Sequence, residues 1–328
     1  MRNSKINKKH FKVAVLCGGF EPEHYASMLT GNNLLKALQN AGFTQTKLFD
    51  VNTSIISQLV EFKPDFAFMS LFCKWGEDGV MQGALEALEI PYSGSGVEAS
   101  AICKNKYFFY AIANSLGIKT PKVYFYGTSN EYHYEKPTIK YPCIVKPSYQ
   151  GYSLGVSLIA EQKDLDLALK KAFQFSHRTA IEEYIEGKEI TVGIIDTPDN
   201  NTVVLPMIEL KFKHHKIQDS DVKDDPSLME EIMPAKISKE LEEKISSSAL
   251  KLFKKIGCQG VSRFDTRVTN AEEIYFLENN TAPGLLNYEQ SDLPKQLQKK
   301  GISLESYVEY MIINGLNRQT NKLEVFID

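Results

Sequence analysis

The first hundred residues alternate between apolar strand segments and helical segments, and this alternation limits the folds open to the chain. FKVAVLCGG (11–19) is typical of a buried strand entering a Gly-Gly turn, and HYASMLTGNNLLKALQNAG (24–42) of a helix ended by Gly42. The strand segments QTKLFDV and FAFMSLF follow, with helical sequence between them. Strands separated by helices form parallel sheets, so the sequence predicts an α/β fold that begins with a doubly wound parallel sheet.

The length of the chain indicates more than one domain. At 328 residues it exceeds what a single hydrophobic core usually serves, so two or three domains are expected. We expect an N-terminal domain over 1–97, which ends at the Gly/Ser-rich segment IPYSGSG, a central domain over 98–186 and a C-terminal domain over 187–328.

The later segments carry further predictions of secondary structure. VEASAICKNKYFFYAIANSLG (97–117) predicts one long helix, whereas PCIVKPS and TAIEEYI predict strands on either side of a glycine loop. EITVGII and TVVLPMIEL predict strands of the third domain. The polar stretch 211–233 has no periodicity and predicts a long loop, and loops of such length are often lids. Ser238 and Gly257 bracket a predicted amphipathic helix.

Composition and charge exclude several classes of protein. With 43% hydrophobic and 24% charged residues, the chain is typical of a soluble globular protein. The net charge of -3 gives no general attraction to nucleic acid or to anionic membranes. The run FAFMSLFC is too short to span a bilayer. The five cysteines have no CxxC spacing, so we expect free thiols and a reducing, cytoplasmic location.

In FLENNTAPG (276–284) an apolar strand segment ends in polar side chains, and the alternation of side chains along a strand predicts which of them lie on the same face. VSRFDTRV and IYFLENN flank the turn signal VTNAEE, which predicts a β-hairpin. Because side chains alternate across a strand, Arg263 and Asp265 share one face of the first strand, and Glu278 and Asn280 share one face of the second strand. If the register joins these faces, the oxygen-rich cluster suits Mg²⁺. The alternative is a polar strand end in which Arg263 simply pairs with Asp265.

Two further segments suit a nucleotide. KPSYQGYSLGVS places Lys146 at a strand end before a glycine loop, and such loops can close over phosphates. Taken alone, this loop could be an ordinary turn, and Lys106 could be a solvated surface lysine. IEEYIEGKEITV has the form of a strand, a hinge and a second strand, and its acids could equally form a solvated turn.

Taken in order, these segments resemble the D-alanine–D-alanine ligase family of the ATP-grasp superfamily. The resemblance runs from VAVLCGGFEPEH through GEDGVMQGALEALEIPYSGSG, CIVKPS, EEYIEGKEITV and GVSRFDTRV to FLENNTAPG. It implies a three-domain ATP-grasp fold with ATP between the central and C-terminal domains. The ATP-binding residues that it implies are Lys106 and Lys146 at the phosphates, Glu182, Glu183, Tyr184 and Ile185 at the adenine, and Glu189 at the ribose.

The resemblance also implies a reaction. ATP phosphorylates an amino acid carboxylate to an acylphosphate, a second amino acid attacks it, and phosphate leaves. Asp265, Glu278 and Asn280 would hold two Mg²⁺ ions, for which Mn²⁺ is an alternative. Arg263 and the backbone N–H of Gly284 would stabilise the oxyanion. Phosphoryl transfer needs chiefly positioning and charge neutralisation, so the lack of a Ser-His-Asp pattern is no objection.

The substrate side departs from the family. Glu23 is where the family keeps the glutamate that holds the first substrate's ammonium group, and Ser153 is also retained. Phe72 replaces a histidine, Cys73 a glycine, and Tyr152 a serine of the glycine loop. The long loop reads FKHHKIQD in place of a sequence close to FYDYEAKY, so Gln218 and Asp219 stand where the family has lysine and tyrosine.

After the Pro-Gly turn, LLNYE places Glu289 where the family uses a serine for the second substrate's carboxylate, and Tyr288 before it is a further candidate substrate residue. A carboxylate facing that substrate would repel it, so either the acceptor differs or Glu289 points away. His215 lies near the loop histidine of the branch that uses D-lactate, and could attract an acceptor carboxylate. Alternatively, it is a solvated loop residue.

Several functions follow from these observations. The first is an ATP-dependent ligase with D-alanine as the default for both substrates, acting in peptidoglycan synthesis. The second is a ligase with another acceptor, such as D-lactate, another amino acid or a cationic amine. The third is a nucleotide-binding sensor without catalysis, which the complete set of metal and phosphate residues disfavours. The partners expected are small molecules, with neither nucleic acid nor membrane, and a homodimer is an expectation from related enzymes alone.

Overall fold

The computed structural model of the chain describes residues 6–20, 23–127, 139–149, 151, 153–199, 201–213, 216–217, 222, 225–285 and 291–325. The strands within these ranges are β1 (Lys12–Cys17), β2 (Gln45–Asp50), β3 (Phe66–Met69), β4 (Val123–Gly127), β5 (Cys143–Pro147), β6 (Ser157–Ile159), β7 (Arg178–Glu183), β8 (Lys188–Asp196), β9 (Thr202–Val204), β10 (Ile208–Phe212), β11 (Met229–Ile232), β12 (Val261–Val268) and β13 (Ile274–Asn280). The α-helices are α1 (His24–Asn40), α2 (Ile55–Phe62), α3 (Val80–Ala87), α4 (Val97–Lys104), α5 (Lys106–Ser115), α6 (Leu165–Phe173), α7 (Lys239–Ile256), α8 (Asp292–Lys300) and α9 (Leu304–Val325).

The first sheet is parallel, with the strand order β2-β1-β3. Every residue of β1 from Val13 to Cys17 is buried, as expected for a central strand with helices on both faces. The α/β fold predicted from the alternation of strands and helices is therefore confirmed.

The second and third sheets are antiparallel and follow one another along the chain. The second has the order β4-β7-β5-β6, and α6 packs on it. The third has the order β11-β10-β8-β12-β13, with β9 paired to β8. The chain passes from the second sheet to the third between β7 and β8, through residues 184–187, which is the hinge predicted in IEEYIEGKEITV.

Helix α7 covers one face of the third sheet and forms as its sequence predicts. The Ser238 hydroxyl accepts a hydrogen bond from the N–H of Leu241 at 3.2 Å, and Gly257 ends the helix with a φ of 80°. The apolar stripe that faces the core consists of Leu241, Ile245, Ala249, Leu252 and Ile256.

The segment predicted as one helix over 97–117 is two helices, α4 and α5, because Asn105 interrupts the helical backbone. Asn105 has extended dihedrals (φ -93°, ψ 102°), and its side chain accepts a bond from the N–H of Tyr107 at 3.1 Å. It therefore caps α5 and makes Lys106 the first residue of that helix. The break turns Lys106 inward, where only 6% of its surface is exposed.

The prediction of a loop over 211–233 is wrong at both ends, because β10 already includes Lys211 and Phe212. Met229–Ile232 form β11, which pairs antiparallel with β10 and places Glu230 opposite Lys211. The segment TVVLPMIEL forms two strands separated by Leu205, Pro206 and Met207. Proline has no N–H for a ladder bond, which is a physical reason for the interruption.

Two hydrophobic cores bring together distant parts of the chain. Val13 and Phe66 of the first sheet share a core with Tyr307 and Met311 of α9. Phe109 of α5 packs in a second core with strands of the third sheet and with α7. No helix in the described part of the chain is both long and apolar enough to cross a membrane.

Candidate active site

A cavity lies between the second and third sheets, at the point where the glycine loop and α5 meet the hairpin of β12 and β13. It brings together most of the residues that the sequence predicts to bind ATP and metal. The predicted residues among its lining are Lys106, Lys146, Ser153, Glu182, Glu183, Tyr184, Ile185, Glu189, Asp265 and Glu278. Its apolar wall contains Pro121, Ile144, Val156, Ile217 and Leu277.

The hairpin has the register that joins the two polar faces. Asp265 lies directly opposite Glu278, and Arg263 directly opposite Asn280. Asn279 faces the other way and is buried, with its side-chain amide 3.1 Å from the Cys103 thiol. The alternation predicted from FLENN is confirmed, and the cluster is formed as that alternation requires.

Arg263 and Asp265 form a two-bond ion pair within one strand. Arg263 donates from Nε to Oδ1 at 3.1 Å and from Nη2 to Oδ2 at 2.9 Å, and its Nη1 lies 3.7 Å from Asp292. Burial disfavours the guanidinium, but the two aspartates outweigh it and raise the pKa of Arg263 above its usual value. The arginine therefore stays cationic, as stabilisation of an oxyanion would require.

The two carboxylates of the hairpin oppose one another. Burial, followed by the charge of Glu278, raises the pKa of Asp265, although Arg263 counteracts both. Lys106 offsets part of this negative charge, since its Nζ lies 3.1 Å from Oε2 of Glu278. Thr191 of β8 and the amide nitrogen of Asn280 donate to Asp265 at 3.0 Å and 3.1 Å.

Lys146 is held by a buried carboxylate on the neighbouring strand. Its Nζ lies 2.6 Å from Oε2 of Glu182, which is 3% exposed. The hydroxyl of Tyr110 lies 3.1 Å from the other Glu182 oxygen and 2.9 Å from the carbonyl oxygen of Leu277. Burial and Glu182 raise the pKa of Tyr110, so it stays a neutral phenol. Glu182 therefore lines the cavity and also holds the Lys146 ammonium group in place there.

Arg267 is a site residue that the sequence reasoning missed. It donates to Oε2 of Glu189 from Nε at 3.1 Å and from Nη2 at 2.8 Å. Burial raises the pKa of Glu189, and Arg267 counteracts that shift. Arg267 and Glu189 are opposite residues of β12 and β8, as are Asp265 and Thr191. The alternation of side chains along β12 places Arg267 on the same face as Arg263 and Asp265, so the sequence could have predicted Arg267 as a site residue.

Comparison with known proteins agrees with this geometry. The sequence profile described as the D-ala D-ala ligase C-terminus matches residues 117–313. The D-alanine–D-alanine ligase of Carboxydothermus hydrogenoformans is 34% identical over 312 residues, which cover 93% of this chain and 98% of that protein. The chain belongs to the D-alanine–D-alanine ligase family. The corresponding ligase of Fervidobacterium nodosum is 36% identical over 314 residues, covering 92% and 97% of the two chains.

Solved structures of the family have the same fold. The D-alanine–D-alanine ligase of Bacillus anthracis in complex with ATP has a TM-score of 0.79 and 27% identity, over 95% of this chain and 99% of that one. The VanG D-Ala:D-Ser ligase of Enterococcus faecalis has a TM-score of 0.76 and 25% identity, over 93% and 99%. The chain is therefore an ATP-dependent ligase with an ATP-grasp fold, and the family recognised in the sequence is confirmed.

Part of the predicted lid reaches the ATP-grasp cavity. The carbonyl oxygen of Lys216 accepts from Nη2 of Arg267 at 2.8 Å and lies 3.4 Å from the Tyr184 hydroxyl. The Arg267 guanidinium also lies 5.6 Å from the centre of the Tyr184 ring. Arg267 therefore contacts the lid segment at Lys216, the hinge at Tyr184 and the carboxylate of Glu189.

We expect Arg267→Met to lower the free energy of unfolding by about 3 kcal/mol, because it leaves Glu189 buried without its cation. Urea denaturation measures this change. Combining Arg267→Met with Glu189→Gln removes the unpaired charge and should recover most of the loss. If Arg267→Met is as stable as the wild type, the ion pair between Arg267 and Glu189 contributes little to the stability of the fold.

The substrate-side residues predicted from the family are only partly visible. Glu23 is 8% exposed, and its Oε1 lies 2.9 Å from the position that a Cβ on Gly151 of the glycine loop would occupy. The ring of Phe72 lies 3.5 Å from the corresponding position on Gly284. Tyr152, His215, Tyr288 and Glu289 lie outside the described residues, as do Gln218 and Asp219.

The hairpin offers oxygen atoms suited to a hard cation. Asp265 and Glu278 supply carboxylates, and the amide nitrogen of Asn280 is used by Asp265, which leaves the amide oxygen for a ligand. Mg²⁺ is typically held by one or two protein carboxylates together with phosphate oxygens and water. No group of three or more His, Cys, Asp or Glu side chains in the described ranges is placed to hold a metal, and the hairpin itself contributes two carboxylates and one amide. The donor set therefore fits Mg²⁺ bound together with a nucleotide.

Proposed function

We propose that this chain joins two amino acids at the expense of ATP, with D-alanine as the default for both. The observation that carries this proposal is the cavity that Lys106, Lys146, Asp265 and Glu278 line together, with Arg263 paired to Asp265 beside it. Two lysines together with two carboxylates and a neighbouring arginine suit phosphoryl transfer to a carboxylate.

ATP would bind with its phosphates between the two lysines and the glycine loop. Lys106 and Lys146 are each held by a carboxylate, so both ammonium groups are fixed before ATP arrives. Glu182, Glu183, Tyr184 and Ile185 would border the adenine, because the hinge forms that end of the cavity. Glu189 uses Oε2 for both bonds to Arg267, and its other oxygen could accept bonds from the ribose hydroxyls.

Asp265, Glu278 and Asn280 would hold Mg²⁺, with two ions expected from the family and Mn²⁺ as an alternative. Bound there, the ions would neutralise charge on the transferring phosphoryl group. The binding of cations would also offset the burial and the opposing charge of Glu278, which raise the pKa of Asp265.

The reaction then proceeds in two steps. A carboxylate oxygen of the first amino acid attacks the γ-phosphorus of ATP, so that ADP leaves and an acylphosphate forms. The amine of the second amino acid attacks the acyl carbon, and the tetrahedral oxyanion collapses with loss of phosphate. Arg263 and the N–H of Gly284 would stabilise that oxyanion, since both lie at the end of the hairpin where the acyl group must sit.

The first amino acid would be held by its ammonium group at Glu23, with Ser153 in the glycine loop beside it. Ser153 has a φ of 56° and lines the cavity. A different acceptor is the second candidate function. It is favoured by Phe72, an apolar ring against Gly284 where the family has a histidine.

The experiment that tests the proposal is the release of phosphate from ATP and Mg²⁺ by the purified chain. D-alanine, L-amino acids, D-serine, D-lactate and diamines are supplied singly and in pairs. D-alanine alone should give release with formation of the dipeptide. Release that requires a second compound together with D-alanine would support the altered acceptor. Absence of release across the panel, with ATP still bound, would contradict the proposal and favour a nucleotide sensor.

Three broader expectations remain proposals. The domain boundaries near residues 97 and 186 rest on sequence punctuation, although the three sheets do follow one another along the chain. A cytoplasmic location is inferred because all five cysteines are free thiols. A homodimer is expected by analogy with other symmetric enzymes.

A further inference from the structure

A buried polar cluster adjoins the glycine loop and consists of three residues that the ATP site does not involve. Cys73 lies in the turn between β3 and α3, and its N–H donates to Oε2 of Glu77 at 3.0 Å. Lys104 is the last residue of α4, and its Nζ lies 2.9 Å from the Cys73 sulfur and 2.8 Å from Glu77. Cys73 is 6% exposed, so this cluster belongs to the interior.

Protonation fixes the direction of the hydrogen bonds in this cluster. Burial opposes a charge on Lys104, but Glu77 and Cys73 outweigh it and raise the pKa of the lysine. Burial likewise raises the pKa of Cys73 to about 12, which keeps it a neutral thiol. An ammonium can only donate, so the sulfur accepts from Lys104. The thiol proton is then available to Glu23, whose Oε1 approaches the same point on the glycine loop as the Cys73 sulfur.

The cluster contacts the glycine loop at Gly151. A Cβ on Gly151 would come within 2.7 Å of the Cys73 sulfur and 2.9 Å of Oε1 of Glu23. The preceding residue, Phe72, contacts Gly284 at the end of the hairpin. Phe72 and Cys73 therefore lie between the two glycines near which the acylphosphate would form.

Cys73 adopts a backbone conformation that glycine tolerates better. Its φ is 49°, in the left-handed region, which costs a non-glycine residue on the order of 1 kcal/mol. Strained residues of this kind persist where their side chains make compensating contacts. The contact of the Cys73 sulfur with Lys104 is the compensation that the structure shows.

We propose that Cys73 is a positioning residue of the first substrate site, whose thiol, fixed by Lys104, holds Glu23 in the orientation that binds the donor's ammonium group. This inference rests on the proposed role of Glu23. A donor recognised in this way must carry an unmodified ammonium group, so the first site selects amino acids over hydroxy acids. Lys104 acts through Cys73 and Glu77 and has no direct contact with the donor in this arrangement.

Binding measurements on two matched variants test the inference. Cys73→Ala and Cys73→Ser share the backbone strain of Cys73 but differ in the hydrogen-bond donor. The single tryptophan of the chain, Trp75, lies two residues from Cys73, so its fluorescence can follow titration with D-alanine in the presence of ADP and Mg²⁺. We expect Cys73→Ala to weaken D-alanine binding about tenfold, the effect of losing one hydrogen bond, while Cys73→Ser stays close to the wild type.

The affinities for ADP and for D-lactate should be the same in the wild type, Cys73→Ala and Cys73→Ser, because neither ligand offers an ammonium group to Glu23. Unchanged D-alanine binding in Cys73→Ala would overturn the inference, as would an equal loss in both variants or a parallel loss of ADP binding. Glu23→Gln distinguishes the proposed role of Glu23 from that of Cys73. If it leaves D-alanine binding intact, the proposed role of Glu23 fails and the role of Cys73 fails with it. If Glu23→Gln weakens binding and Cys73→Ala does not, the role of Cys73 alone is wrong.

Discussion

Glu278→Gln should reduce ligase turnover by on the order of a hundredfold to a thousandfold while the chain keeps its fold. The substitution preserves the size of the side chain and removes the charge that faces Asp265 across the hairpin and pairs with Lys106. Both the proposed metal site and the fixed position of Lys106 would be lost together. Asn280→Ala should act in the same direction, because it removes the third proposed ligand.

Glu273→Gln is the matched control for this prediction. Glu273 lies in the same hairpin but pairs with Lys119 at the surface and is not among the residues that line the cavity. Initial rates of phosphate release, with circular dichroism for the fold, compare the variants over a range of Mg²⁺ concentrations. Turnover in Glu278→Gln close to that of Glu273→Gln would contradict the metal assignment.

Arg263→Lys should lower kcat by about a hundredfold with little change in the KM for ATP. The guanidinium makes two bonds to Asp265 and a longer contact to Asp292, a geometry that a single ammonium cannot reproduce. If Arg263 stabilises the oxyanion, its loss affects the second step and leaves ATP binding unchanged.

The control for Arg263→Lys is Arg318→Lys. Arg318 donates to the backbone carbonyl oxygens of Tyr92 and Gly94, outside the ATP cavity. Steady-state kinetics separate kcat from KM, and ATP affinity is measured directly by calorimetry. A rise in the KM for ATP at constant kcat would show that Arg263 binds the nucleotide instead, and the oxyanion assignment would be wrong.

The hairpin shows how far the sequence alone could reach. Its two strands are local in the chain, and alternation fixes which side chains share a face, so the pairing of Asp265 with Glu278 could be predicted. The register also shifts after Asp265, where Leu277 is an extra residue of β13. No residue type in the sequence marks this bulge.

The remaining contacts depend on which distant strands and helices meet. Thr191 and Glu189 face β12 only because β8 is its other neighbour, and no local pattern gives that pairing. The contact between Lys104 and Cys73 joins a helix end to a turn 31 residues earlier. The break before α5 has a local cause, the capping side chain of Asn105, but the helical pattern on either side concealed it.

The most direct test of the central claim follows an oxygen atom. D-alanine labelled with ¹⁸O in its carboxylate is incubated with the chain, ATP and Mg²⁺, and the phosphate released is analysed by mass spectrometry. An acylphosphate route transfers one carboxylate oxygen to each phosphate, so we predict one ¹⁸O per phosphate and one dipeptide per ADP. Unlabelled phosphate, or label in AMP, would contradict phosphorylation of the donor carboxylate and with it the proposed function of the site.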